Sequence, residues 1–303
     1  MINNLLQFNH RFLLPATFLA ALSFDVAARA SEIHVPQDHP TIQQAIDVAA
    51  DNSEIIVAPG MYEETIDFLG KSIHLQSSDG PEETVIDASG LGGSVVTAEN
   101  GEGPDTILEG FTITGGDAGS GGGMYNFAAS PTVVNVIFAD NSATNGGAVA
   151  NESGAEPVFQ NCVFENNSAS NDGGALHNIF FSTATVEDSL FAGNTSSSTG
   201  GAVWNSPGTL CNTHVSGTTF CENSPDDISG TWHDGGGNDF PETCPVDIPG
   251  DLTGDGQVGG ADLGILLSQW GECADPDDCP ADLTGSGTVG GADLGILLSN
   301  WTT

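Results

Sequence analysis

Short apolar runs bounded by glycine and asparagine set the pattern of this chain. Val133-Val134-Asn135-Val136-Ile137-Phe138 is typical: β-branched, brief, and closed by turn residues. No window in the repeat region sustains a 3.6-residue period. The runs recur in register. Gly121-Gly122-Gly123-Met124-Tyr125-Asn126 returns from Gly146 to Asn151, from Gly173 to Asn178 and from Gly200 to Asn205, at intervals of 25, 27 and 27 residues. A second signature keeps step: Phe138-x-x-Asn141, Phe164-x-x-Asn167, Phe191-x-x-Asn194 and Phe220-x-x-Asn223. A fixed period of this size marks a solenoid, whose coils bury their apolar faces only against each other. The chain is therefore expected to be all-β, a parallel β-helix of roughly 25 residues per coil. Phenylalanine at one register should stack inside it. Asparagine at one register should sit at the corners, where left-handed backbone suits it, with its amides bonding along the axis. Glycine should let each corner turn sharply.

The pattern changes at both ends. Thr41-Ile42-Gln43-Gln44 reads as a capping box, and Ile42, Ala45, Ile46 and Ala49 fall on one helical face. A short helix here would cover the open end of the tube. Strands are expected at Glu54–Ala58, Ser72–Gln76, Thr84–Asp87, Ser94–Thr97 and Thr106–Thr114. Residues 1–30 read as a secretory signal, with an apolar run from Phe12 to Phe24 and a small-x-small site at Ala28-Arg29-Ala30. No other stretch is apolar and long enough to span a bilayer, so no membrane insertion is expected after signal removal.

Beyond Gly235-Gly236-Gly237, Pro241 and Pro245 the repeat closes, and residues 246–303 form a duplicated unit. Asp251–Trp270 and Asp282–Trp301 agree at 17 of 20 positions, 31 residues apart. Each is a twelve-residue loop followed by an apolar helix. Leu263, Leu266, Leu267 and Trp270, and again Leu294, Leu297, Leu298 and Trp301, are expected to pack face to face. The loop spacing fits a calcium site. Its ligands would be Asp251, Thr253, Asp255, Gln257 through its carbonyl, and Asp262. In the second loop they would be Asp282, Thr284, Ser286, Thr288 and Asp293. Three carboxylates against two predict a weaker second site.

Two resemblances follow from these residues. Ile33-His34-Val35-Pro36, Thr41–Ile46, Val57–Glu64 and Gly70-Lys71-Ser72-Ile73 resemble the opening of right-handed parallel β-helix proteins of the pectin-lyase-like superfamily. The GGGMYN and FxxN repeats are similar to those of bacterial secreted β-helix proteins and, more distantly, to polymorphic outer-membrane repeats. This resemblance spans about residues 32 to 245 and implies a right-handed solenoid over 31–245. The duplicated unit resembles a type I dockerin. That implies docking onto a cohesin-like module or a cell-surface scaffold. Positions 10 and 11 of each loop, which carry partner recognition in dockerins, are here the small pairs Gly260-Ala261 and Gly291-Ala292, so a calcium-stabilised anchor stands beside cohesin docking as an alternative.

Charge narrows the partners. The whole chain has 41 acidic residues against Arg11, Arg29 and Lys71. Removing the leader leaves 40 acids and one lysine, a net charge of −39. Such a chain should repel nucleic acid and anionic membranes and attract divalent cations. Six cysteines suit an oxidising compartment. Cys273 and Cys279 are expected to pair. Cys211, Cys221 and Cys244 compete for one bond, with Cys221–Cys244 favoured, and Cys162 is expected buried and free. The lack of a CxxC pair argues against zinc. Lyases of the resembled superfamily abstract protons with arginine or lysine, and Lys71 stands alone in what looks like a structural turn. Asp226, Asp227 and Asp234 near His233 form the one tight acidic group on a late coil, read as a solvated rim. His177 and Trp204 share a register with Tyr125 and Ala150 and could form an exposed strip for sugars, or be variable corner residues. Three functions compete: extracellular polysaccharide or surface-partner binding with an anchoring calcium module, polysaccharide hydrolysis or lysis, and a structural or adhesive surface role.

Overall fold

The computed structural model describes residues 32–244, 249–253, 257–273 and 279–301. The leader, Asp255 and linker residues 245–248 lie outside the described residues. The chain winds into a parallel β-solenoid of about eight turns. A nine-stranded sheet runs the length of the tube from Glu32–Val35 to Trp232–Asp234. Two seven-stranded sheets complete the wall, one from Gly60–Tyr62 to Thr219–Cys221 and one from Ile66–Asp67 to Ile228–Ser229. A four-stranded sheet, Asp117–Ser120, Ser142–Asn145, Ser168–Ala169 and Thr195–Ser196, adds a fourth side to the middle coils. Strand bounds shift slightly from the sequence pattern. The expected run Thr106–Thr114 divides into Ile107–Glu109 and Thr112–Thr114, because Gly110 takes φ 78° and turns a corner between them.

The repeat signatures become ladders. Phe138, Phe164, Phe191 and Phe220 stack along the axis at centroid spacings of 5.2, 4.4 and 4.8 Å, within 7° of parallel. Strand spacing in a sheet is about 4.8 Å, so the backbone fixes this stacking distance. Phe240 extends the stack by one ring at 5.1 Å and covers its end. Phe159 meets Phe138 and Phe164 edge-on at 76° and 75°, filling the tube's width.

The asparagine of the FxxN signature is not the corner residue that the sequence suggests. Asn141, Asn167 and Asn194 are fully buried. The left-handed position belongs to the residue before each: Asp140 at φ 55°, Asn166 at 54°, Gly193 at 64° and Glu222 at 56°. The buried amide serves the corner from inside. Asn167 Nδ2 donates to Asn194 Oδ1 at 3.0 Å and to the Phe138 carbonyl at 2.8 Å, while its Oδ1 accepts from Asn141 Nδ2 and N at 3.1 Å. A second file links Asn126, Asn151, Asn178 and Asn205 at 2.9, 2.8 and 2.8 Å.

The first helix, α1 (Ile42–Val48), covers the N-terminal end with Ile42, Ala45 and Ile46 buried. Thr41 Oγ1 accepts from the Gln44 N–H at 3.2 Å. Glu64 accepts from the N–H groups of Ile42 and Gln43 at 2.8 and 2.9 Å, closing the helix start from the next coil. Lys71 Nζ donates to the carbonyls of Ile46 and Asp47 at 2.6 and 2.9 Å, closing its end.

The C-terminal unit has its own core of Val258, Leu266, Ala281, Val289 and Leu297. Helices α2 (Gly260–Ser268) and α3 (Gly291–Ser299) are nine residues each. The expected four-residue faces bury only in part. Leu266 and Leu297 are enclosed, but Leu267, Trp270, Leu298 and Trp301 remain 54, 50, 52 and 39% exposed. Leu263 and Leu294 pack partly buried against this core, which is too small to take in the rest of each stripe. Disulfides join Cys221 to Cys244 and Cys273 to Cys279, with Cα separations of 4.9 and 5.9 Å. Cys162 and Cys211 are buried and free.

Candidate functional site

The described parts of the two terminal loops tie oxygen-bearing side chains together through hydrogen bonds. In the second loop five groups form a continuous string. The Thr288 carbonyl accepts from Ser286 Oγ at 3.1 Å, and Ser286 Oγ lies 3.4 Å from Asp282 Oδ1. Thr284 Oγ1 then bridges Asp282 Oδ1 at 3.1 Å and Asp293 Oδ1 at 2.9 Å. These are the five residues at loop positions 1, 3, 5, 7 and 12. In the first loop Thr253 Oγ1 lies 3.2 Å from Asp251 Oδ1 and 2.8 Å from Asp262 Oδ1, repeating the same join within 0.1 Å. The described part of the first loop thus repeats the geometry of the second.

Asp262 and Asp293 are fixed by both oxygens. Asp262 Oδ1 accepts from the Thr253 N–H at 2.9 Å and Oδ2 from the Gly259 N–H at 2.7 Å, which closes the start of α2. Asp293 does the same for α3 through Thr284 and Gly290 at 3.0 and 2.7 Å. Burial pushes both carboxyls up. The hydrogen bonds, from Gly259 and Thr253 or from Gly290 and Thr284, outweigh it and hold both below the usual carboxylate range. Asp282 is held low in the same way, by bonds from Ser286, Gly287 and Thr284 against desolvation. The groups here are two carboxylates with hydroxyls and a carbonyl. Among the described residues no set of three or more His, Cys, Asp or Glu converges.

On the solenoid, the four-stranded sheet forms the floor of a groove of about 480 Å³. Asp117, Ser142, Ser168 and Thr195 pair rung on rung, and Ala118, Ala143, Ala169 and Ser196 form the next row. The sequence reading missed this feature. Its signal is the residue directly after each buried asparagine, Ser142, Ser168 and Thr195, which the ladder holds at fixed height. A second missed feature is the set of exposed apolar residues that follow the Asn126–Asn205 file in sequence: Phe127 at the end of its strand, Phe180 with Phe181, and Leu210. Phe180 and Phe181 are both left-handed, at φ 55° and 69°, an unfavourable backbone for bulky side chains.

The other sequence candidates have structural duties. Tyr125, Ala150, His177 and Trp204 do share one register, but on adjacent strands rather than at corners. They do not form an open strip: His177 is only 4% exposed, with its ring stacked on Trp204. Asp226 accepts from the Gly200 N–H, Asp227 from Asn223 Nδ2, and Asp234 from the Gly236 N–H and Asn238 Nδ2, so each carboxylate ties down the last coils. Lys71 is committed to the end of α1.

Comparison with known families finds a match to a repeat. The Chlamydia polymorphic membrane protein repeat aligns with residues 161–179 and 188–206. The two segments are successive coils, each running from the corner before a buried phenylalanine to the close of a GGAxxN turn. No curated protein matches the chain.

Proposed function

We propose that this is a secreted, calcium-binding modular protein. Its solenoid engages extracellular polysaccharide, and its dockerin-like C-terminal pair holds calcium and docks or anchors the protein to a cohesin-like or cell-surface partner. The observation that carries the reading is the string Thr288–Ser286–Asp282–Thr284–Asp293, with its partial duplicate at Asp251, Thr253 and Asp262. Calcium takes six to eight oxygens, and this donor set is all oxygen. Asp251, Thr253, Asp255, Gln257 and Asp262 would hold one ion; Asp282, Thr284, Ser286, Thr288 and Asp293 would hold another. Bound calcium would offset the repulsion between paired carboxylates and brace two helices whose shared core is small.

The polysaccharide part rests on the hydroxyl-lined groove and the exposed phenylalanines, which offer hydrogen bonds and aromatic faces to sugars. The matched repeat is named for a membrane protein, which supports a place at the cell surface. A lyase is less well supported, because the one lysine outside the leader caps a helix. Calorimetric titration of the full chain with calcium tests the core of the proposal. Two binding events of unequal affinity are expected, and absence of heat with no change in helical circular dichroism would remove it. Retention on immobilised polysaccharides, with Ser168→Trp blocking the groove, tests the second part; undiminished retention by that variant would exclude the groove.

A further inference from the structure

We infer that the outer face of the last two coils carries a separate metal site, built on His214 and His233, for a nitrogen-seeking divalent ion such as Zn²⁺, Cu²⁺ or Ni²⁺. The two residues are directly opposed on neighbouring parallel strands, Asn212–Ser216 and Trp232–Asp234. Thr213 and Val215, on either side of His214, point into the core, so His214 points outward. The imidazole centroids are 5.2 Å apart with planes tilted by 57°. Both side chains are exposed.

Three other imidazoles are engaged elsewhere. His34 pairs with Glu32 at 2.8 Å, His74 pairs with Glu109 at 2.7 Å, and His177 is buried on Trp204. The two imidazoles of His214 and His233 stand side by side on the outer face, with no carboxylate among the described residues paired to either. Asn212 lies beside the pair, its Nδ2 3.4 Å from His214 Nε2.

The chemistry selects the ion. Imidazole suits zinc, copper and nickel, whereas calcium takes hard oxygen donors. The strand spacing, about 4.8 Å, lets two ring nitrogens reach one ion at the usual metal–nitrogen distance of about 2 Å. Two histidines, with water in the remaining positions, make an open and exchangeable site rather than a closed structural one. The strongly acidic chain would concentrate divalent cations around it.

The test uses the full chain, without a histidine tag and saturated with calcium so that the terminal loops are occupied. Titration with Zn²⁺ should show one ion bound per chain. His214→Ala and His233→Ala should each weaken binding on the order of tenfold or more, and the Cu²⁺ complex should show electron-spin coupling to two nitrogens. Both residues are exposed, so the variants should keep the native circular dichroism. Equal zinc affinity in the double variant, or a copper spectrum without nitrogen coupling, would overturn the site.

Discussion

His177 lies flat on Trp204, with ring centroids 4.6 Å apart and planes within 5°. Burial, partly opposed by Asp172, pushes this imidazole down to about 4. An unfolded histidine titrates near 6.5. Between those values the unfolded chain takes up a proton that the folded chain refuses, so acid favours unfolding. Stability from this residue should be complete above pH 6.5, fall as pH drops toward 4, and level off below. The total is up to about 3 kcal/mol. Denaturant midpoints of the native chain and His177→Gln, compared from pH 7.5 to 3.5, should converge as pH falls. A constant gap would show that the ring stays accessible to protons.

Neighbouring asparagines should respond very differently to one substitution. Asn167→Ala removes a buried amide that serves Asn141, Asn194 and the Phe138 carbonyl. Several buried groups then lose their partners, at about 1–3 kcal/mol each. Asn166→Ala alters an exposed side chain at φ 54°, where the cost is that of left-handed alanine, about 1 kcal/mol. Urea unfolding should rank Asn167→Ala as by far the worse. Equal losses would mean that the ladder is decorative.

That contrast marks where sequence reading stops. Periodicity made the tube and the phenylalanine stack legible, because residues at one register must lie on one line once coils stack. It did not separate Asn166 from Asn167, since both are asparagines beside a corner and only the backbone angle decides which one turns. The groove was hidden for a related reason: serine and threonine look like loop residues until Ser142, Ser168 and Thr195 are seen in one file. In the terminal unit the loop spacing placed Thr284 between two aspartates, whereas the apolar stripe overstated burial. Leu267 and Trp270 follow helical spacing, but so small a core has no room for them.

Glycine-to-alanine changes should have opposite signs in the two units. A Cβ on Gly174 would strike the carbonyl oxygen of Gly201 one coil along, and backbone cannot yield there. Gly174→Ala should destabilise the solenoid strongly or prevent folding. Gly264 lies inside α2, where a Cβ meets nothing within 4 Å. Gly264→Ala should stabilise the helix by about 0.5–1 kcal/mol, because glycine gives up more backbone freedom than alanine. Thermal melts of both variants separate the cases; a neutral Gly174→Ala would contradict the close stacking of coils.

The two terminal loops should be unequal, and the inequality should follow the carboxylates. Asp251, Asp255 and Asp262 give the first loop three charges, while Ser286 replaces the middle one in the second. Both loops share the threonine that joins position 1 to position 12, so geometry alone does not discriminate between them. Ser286→Asp should therefore raise the weaker affinity toward the stronger, and Asp293→Asn should abolish the weaker event while leaving the stronger intact. Ligand binding stabilises by about 2.7 kcal/mol at a hundredfold excess over Kd, so chelation should lower the melting of the terminal unit. The solenoid rests on its own core of stacked rings and amides, and its melting should not move. Two identical calcium affinities in the native chain, or a solenoid transition that shifts on chelation, would show that charge count does not set the order of filling or that the two cores are coupled.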